Sequence, residues 1–158
     1  MAYDRIRAIE YAHKWAFDRN PRYLDFSTMG GDCTNFISQC LLAGGFSMNY
    51  EKTFGWYYIS ASDRAPAWSG VTYLYNFLMK KKETGPSARE VRIEQIIPGD
   101  IVQLSFDGYT FGHSLLVVEA GNPVGRNNVL IATHTDDSDY RALNTYMGVR
   151  EYRYLQVF

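Results

Sequence analysis

Two cysteines, five prolines and no long uncharged apolar run are the scarcities of this 158-residue chain. Each excludes something. Cys33 and Cys40 are seven residues apart, roughly 10 Å along a helix axis at 1.5 Å per residue, whereas a disulfide needs Cα atoms within about 7 Å. The two thiols therefore do not pair with each other. The opening MAYDRIRAIEYAHKWAF carries charges throughout, so it offers neither the apolar centre of a secretory leader nor a membrane span. Charge of one sign is also missing: 16 Lys and Arg stand against 17 Asp and Glu. No large field exists to collect nucleic acid or an anionic membrane, so binding has to come from a shaped site.

What is present is an ordinary globular balance, 46% hydrophobic and 21% charged, with many rings. Thirteen tyrosines suit sugars or extended peptides as well as half-buried packing. The length fits one domain, residues 1–158, around one core.

Ile6, Ile9, Ala12, Ala16 and Phe17 recur at helical spacing from Tyr3 to Asp18, and Asn20-Pro21 stops the run. His13 beside that stripe reads as structural or solvated. A second helix is expected from Cys33 to Ala43, with Phe36, Ile37, Cys40 and Leu41 on one side and Gly44-Gly45 as its stop. Residues 46–69 read as a long aromatic loop, and Val71 to Lys82 as a shorter helix whose closing lysines suit the negative end of its dipole. After Gly85-Pro86 the pattern changes. Short β-branched runs at 100–106, 113–118, 129–132 and 152–158, separated by Asp-Gly and Gly-Asn-Pro signals, predict antiparallel strands. Helices first and strands after make an α+β domain.

The chemistry concentrates at Gly30-Gly31-Asp32-Cys33-Thr34-Asn35. A helix N-terminus sets free amides and partial positive charge beside a thiol, which favours the nucleophilic thiolate. The preceding glycines let the chain turn tightly and let a substrate approach. The Cys33 amide is one candidate donor to an oxyanion. Asp32 is placed to cap the helix. Cys40, one hydrophobe among several, reads as a buried inert thiol. A cysteine nucleophile needs a base and a group that orients the base. His113 opens one strand and His134 closes the next, so a hairpin between them brings the two imidazoles toward each other.

The series Gly30-Gly31-Asp32-Cys33-Thr34-Asn35-Phe36, Pro98-Gly99-Asp100-Ile101-Val102 and His113-Ser114-Leu115-Leu116-Val117-Val118 resembles the putative amidase domain group of papain-like cysteine hydrolases. The order of motifs is similar to that of the NlpC/P60 and CHAP peptidoglycan hydrolases. Tyr3-Asp4-Arg5 and Arg19-Asn20-Pro21 extend the resemblance over nearly the whole chain. It implies a papain-like, NlpC/P60-type fold, with N-terminal helices packed on a C-terminal antiparallel sheet. It also implies Cys33 as nucleophile, His113 as base and His134 as the orienting third member, with Asp136 or Asp137 as alternatives. Tyr23 and Asp32 become oxyanion or substrate candidates. The implied substrate is an amide or peptide bond of peptidoglycan, cleaved through a thioester, with no cofactor.

Two other classes compete. The same scaffold can pass the acyl group to an acceptor other than water, or bind wall peptide without catalysis. One Cys, two His and nearby Asp are metal-ligand types, yet neither Cys-x-x-Cys nor His-Glu-x-x-His spacing occurs, so no metal is expected. Without a leader the chain as it stands reads as cytoplasmic; another export route, a spore or phage setting, or a cytosolic muropeptide would reconcile it with a wall substrate. A thiolate-imidazolium pair at Cys33 and His113 would give kcat/KM a bell-shaped pH profile.

Overall fold

The computed structural model describes residues 2–158. Helix α1 (Arg5–Trp15) starts at Asp4, whose carboxylate accepts from the Arg7 amide at 3.1 Å. Its buried stripe is Ala8, Ala12 and Ala16, with Ile9 half-buried. Ile6 and Phe17, expected on that stripe, face solvent at 70% and 68% exposure. Small side chains on the inner face let α1 lie close against α2 (Cys33–Ala43). Every α2 residue from Cys33 to Leu41 is buried, the polar Thr34, Asn35, Ser38 and Gln39 included, so those groups find their partners inside the fold.

Residues 46–69 are more regular than their composition suggests. They hold a small hairpin, β1 (Tyr58–Ser60) and β2 (Asp63–Arg64), and a one-turn helix, α3 (Pro66–Ser69). Helix α4 (Val71–Met79) ends before the three lysines, because Lys80 already has extended backbone. Lys82 nevertheless reaches back to the Leu78 carbonyl at 3.4 Å.

The main sheet contains β3 (Ala88–Val91), β4 (Ile101–Ser105), β5 (His113–Ala120), β6 (Val129–Thr133), β7 (Ser138–Ala142) and β8 (Glu151–Val157), in the order β3-β8-β4-β5-β6-β7. All its pairings are antiparallel. The fold is therefore mixed α+β, helices with an antiparallel sheet. Strands β3 and β7, absent from the sequence reading, are the two edges of the sheet. Alternation divides the apolar residues between two faces. Ile101, Leu116, Ala132 and Leu155 join Phe36, Ile37, Leu41, Trp56 and Trp68 in the core beneath the helices. Val102, Leu104, Leu115, Val117 and Ile131 form a smaller cluster on the far face with Leu143 and Tyr146.

The Tyr3-Asp4-Arg5 and Pro98-Gly99-Asp100 motifs meet in space and tie α1 to the sheet. Arg5 donates to Asp100 at 2.7 Å, to the Pro98 carbonyl at 2.9 Å and to the Val157 carbonyl at 2.6 Å, while Tyr3 donates to the Gly99 carbonyl. Asp100, fully buried, also accepts from the Ile97 and Val157 amides. Gly99 has φ +95°, and a Cβ there would stand 2.8 Å from Arg5 Cγ. Only glycine satisfies both conditions.

Candidate active site

Cys33 is the first residue of α2. Gly30 and Gly31 before it have φ of +96° and +110°, so the chain enters the helix through two residues in the left-handed region. Asp32 occupies the N-cap position, yet its carboxylate makes no cap bond and is turned away from the helix. It accepts from the Phe26 amide at 2.8 Å and from Asn35 Nδ2 at 2.9 Å, and its other oxygen meets His134 Nδ1 at 2.5 Å. The expected cap is thus replaced by a tertiary role, and the first-turn amides of α2 have no side-chain cap.

His134 is committed in the same way. Its Nδ1 faces Asp32, its Nε2 lies 2.8 Å from the Trp15 carbonyl, and its ring stacks on Phe36 at 4.2 Å. A carbonyl only accepts, so Nε2 carries the hydrogen donated to Trp15. His134 and Asp32 are both 1% exposed. With both ring nitrogens engaged by Asp32 and the Trp15 carbonyl, His134 makes no hydrogen bond to His113. The hairpin register accounts for this placement: Leu116 opposes Ala132, which carries His134 to the neighbourhood of Ser114 and the helix-facing side. Thr133 Oγ1 confirms that alignment by donating to the Ser114 carbonyl at 2.9 Å.

Other sequence candidates separate cleanly. Asp137 accepts a two-pronged bond from Arg19 at 2.9 and 3.0 Å, and Arg19 Nε also stands 3.2 Å from Asp25 and 3.6 Å from Asp32. That cluster pins the segment leading into Cys33 to the loop after β6. Tyr23 stacks on Trp68 at 5.8 Å and meets Tyr58 edge-on, outside the pocket that holds Cys33. His13 bonds Asp139 at 2.8 Å and stacks on Tyr140, joining α1 to β7. Cys40 is a fully buried free thiol, and Cys33 is likewise unpaired.

Cys33 and His113 open into one pocket of about 480 Å³, with Gly30, Gly31, Asp136 and Arg141 among its walls. Beneath it a buried polar chain holds α2 against the sheet. Thr34 Oγ1 lies 3.2 Å from Ser114 Oγ, Gln103 Nε2 donates to that hydroxyl at 3.2 Å, and Arg153 donates to Gln103 Oε1. The helix that carries Cys33 is thereby registered to the strand that carries His113. The sequence reading missed Arg141 and Tyr146, which line the same pocket. Tyr146 meets the His113 ring edge-on at 5.7 Å. Thr135 and Asp136 on the rim have φ of +73° and +50°, a conformation uncommon for residues other than glycine.

Burial pushes the Cys33 thiol up, and the Asp32 charge adds to it; the amides of Ser114 and Thr34 and the Thr34 hydroxyl oppose the rise without cancelling it. Burial also pushes His113 down to about 4, helped by the Arg141 charge and resisted by Asp136. Burial thus favours the uncharged form of both groups. Among the described residues, no three His, Cys, Asp or Glu side chains converge as a metal-ligand set. Among the described residues no helix is long and apolar enough to cross a membrane.

Comparison with known proteins adds a family. A family model described as a putative amidase domain matches residues 2–157. The chain is 34% identical over 142 residues to an uncharacterized protein, YhbB, of Bacillus subtilis (strain 168), an alignment covering 88% of this chain and 43% of that relative. The chain thus spans less than half the length of the curated relative it matches. No solved structure matches it.

Proposed function

The chain belongs to the putative amidase domain family, and from that premise we propose that it hydrolyses an amide bond through a thioester on Cys33. The observation that carries the reading is the shared pocket: a cysteine at the first residue of a buried helix and a neutral imidazole open into the same space. A neutral imidazole is a competent general base, and a thiol that ionises only as it attacks needs one.

In this reading Cys33 Sγ attacks the carbonyl carbon while His113 takes the thiol proton. The oxyanion forms beside the uncapped start of α2, where the Cys33 amide is the nearest backbone donor by position. His113 then returns the proton to the amine as the C–N bond breaks and the thioester remains. Water, its proton drawn to His113, attacks the thioester; the C–S bond breaks, the acid is released and the thiol is restored. Asp136, on the wall beside His113 and opposing the Arg141 charge there, is the third member we assign. His134 and Asp32 serve as the foundation beneath.

The papain-like arrangement is part of the proposal. It is supported by a cysteine-bearing helix packed on an antiparallel sheet whose strand β5 opens with histidine. The substrate class, a peptide or amide bond in peptidoglycan, rests on the resemblance of the motifs to wall-cleaving hydrolases. The test is incubation with purified muropeptides and with cross-linked sacculi, followed by mass spectrometry. Wild type should release products that differ from the substrate by one added water, Cys33→Ala should release none, and His113→Ala should release them about 10²-fold more slowly or slower still. Turnover that survives Cys33→Ala would refute the thioester, and products joined to an added amine or alcohol would indicate acyl transfer instead.

A further inference from the structure

Arg141 is the cation of the pocket, and no carboxylate among the described residues pairs with it directly. Nε donates to Thr145 Oγ1 at 2.8 Å and one terminal nitrogen reaches the Thr145 carbonyl at 3.4 Å. The guanidinium lies flat over the Tyr146 ring, its carbon 3.7 Å from the ring centre. Among the described residues no carboxylate stands within 4.0 Å of it, whereas Arg5 and Arg19, which hold the frame of the fold, are both paired with aspartates. Asp136 shares the pocket without forming that pair.

This cation stands where it hinders the chemistry proposed for its neighbour. His113 gains a proton as Cys33 attacks, and a fixed positive charge nearby disfavours the imidazolium. The Arg141 charge does act on His113, in the direction that opposes protonation. Asp136 pulls the other way, and a second negative charge brought to Arg141 would shift that balance further toward the imidazolium. The planar fork of an arginine, aimed by stacking and by Thr145, is the geometry that receives a carboxylate in two-pronged fashion.

We propose that Arg141 is the receptor for a carboxylate of the substrate, so that the amides this site takes carry a free carboxylate close to the bond that reacts. Binding that carboxylate neutralises Arg141 and removes its opposition to the imidazolium. Arg141 is thus a specificity determinant, and a neutral amide of the same size should be the poorer substrate. The inference deepens the Cys33 reading and rests on its pocket, but it can be tested without any hydrolysis.

The experiment compares iodoacetate with iodoacetamide, two alkylating reagents that differ by one negative charge. Their second-order rates at Cys33 are measured by intact mass, in low salt at pH 8, on a Cys40→Ala background, with 2-mercaptoethanol as the reference thiol. Wild type should prefer iodoacetate about tenfold more than the reference does, and added salt should erode the preference. Arg141→Met should bring the ratio to that of the reference, while Arg141→Lys should retain part of it. The ratio cancels changes in thiol reactivity because both reagents meet the same sulfur, and the iodoacetamide rate with circular dichroism reports folding. A wild-type ratio equal to the reference, or a ratio that Arg141→Met leaves unchanged, overturns the proposal; that comparison needs no substrate. Absence of amide turnover with the ratio intact would refute the hydrolase reading alone.

Discussion

Replacing His134 separates a foundation role from a catalytic one. In the structure its ring is 1% exposed, bonded to Asp32 at 2.5 Å and to the Trp15 carbonyl at 2.8 Å, and stacked on Phe36. His134→Ala removes one partner of a buried polar pair and leaves Asp32 to its remaining bonds with the Phe26 amide and Asn35. Breaking such a pair costs about 3–5 kcal/mol. For a domain of this length 1 kcal/mol moves Tm by about 2–4 °C, so the expected loss is about 6–20 °C. The assay is urea and thermal unfolding of His134→Ala, Asp32→Ala and the double variant, followed by circular dichroism. Because the two side chains share one interaction, the double variant should be more stable than the sum of the single losses by about 0.5–3 kcal/mol. A His134→Ala protein of wild-type stability would refute this reasoning. If such a protein had also lost activity, His134 would return to the catalytic role the sequence suggested.

Two further predictions follow from the geometry. Since His113 acts when neutral and its imidazole is pushed down to about 4, kcat/KM should fall only as the pH drops through about 4 and should stay level from there past neutrality. Arg141→Met should move that acid limb upward toward the ordinary imidazole range; a limb near 6.5 in wild type would contradict the assignment. At the turn that ties α1 to the sheet, Gly99→Ala forces an alanine to φ +95° and its Cβ to 2.8 Å from Arg5 Cγ. The expected loss is about 1–3 kcal/mol in urea unfolding, and a variant as stable as wild type would show that the Arg5 anchor yields freely.

The sequence carried the helices best, because their signals are local. Gly44-Gly45 stops α2 where the glycine pair predicts, and the strands at 101–105, 113–120, 129–133 and 151–157 follow their β-branched runs. Strands β3 and β7 escaped because Ala88-Arg89-Glu90-Val91 and Ser138-Asp139-Tyr140-Arg141-Ala142 are edge strands, whose side chains need not be apolar. Ile6 and Phe17 had the right period and still face solvent, since the alanines beside them permit the closer approach. At the site, motif order alone singled out Cys33 and His113, which the fold opens into one pocket. The partner of His134 could not: Asp32 lies 102 residues earlier, and only the sheet register brings the two together. Asp32 illustrates the same limit, since a residue just before a helix reads as a cap whatever the tertiary structure later does with it. Arg141 and Tyr146 gave no signal because each is one of many arginines and tyrosines until folding places it beside His113.

The central claim is that Cys33 is a nucleophile driven by His113, and acylation tests it most directly. Wild type, Cys40→Ala, Cys33→Ala and His113→Ala are mixed with p-nitrophenyl acetate at neutral pH, and the hydroxylamine-labile acetyl adduct is followed by intact mass. The account predicts one labile acetyl group on wild type and on Cys40→Ala, none on Cys33→Ala, and formation slowed about 10²-fold or more in His113→Ala, the usual worth of a positioned base. Acetylation that ignores His113, or that persists in Cys33→Ala, would contradict it.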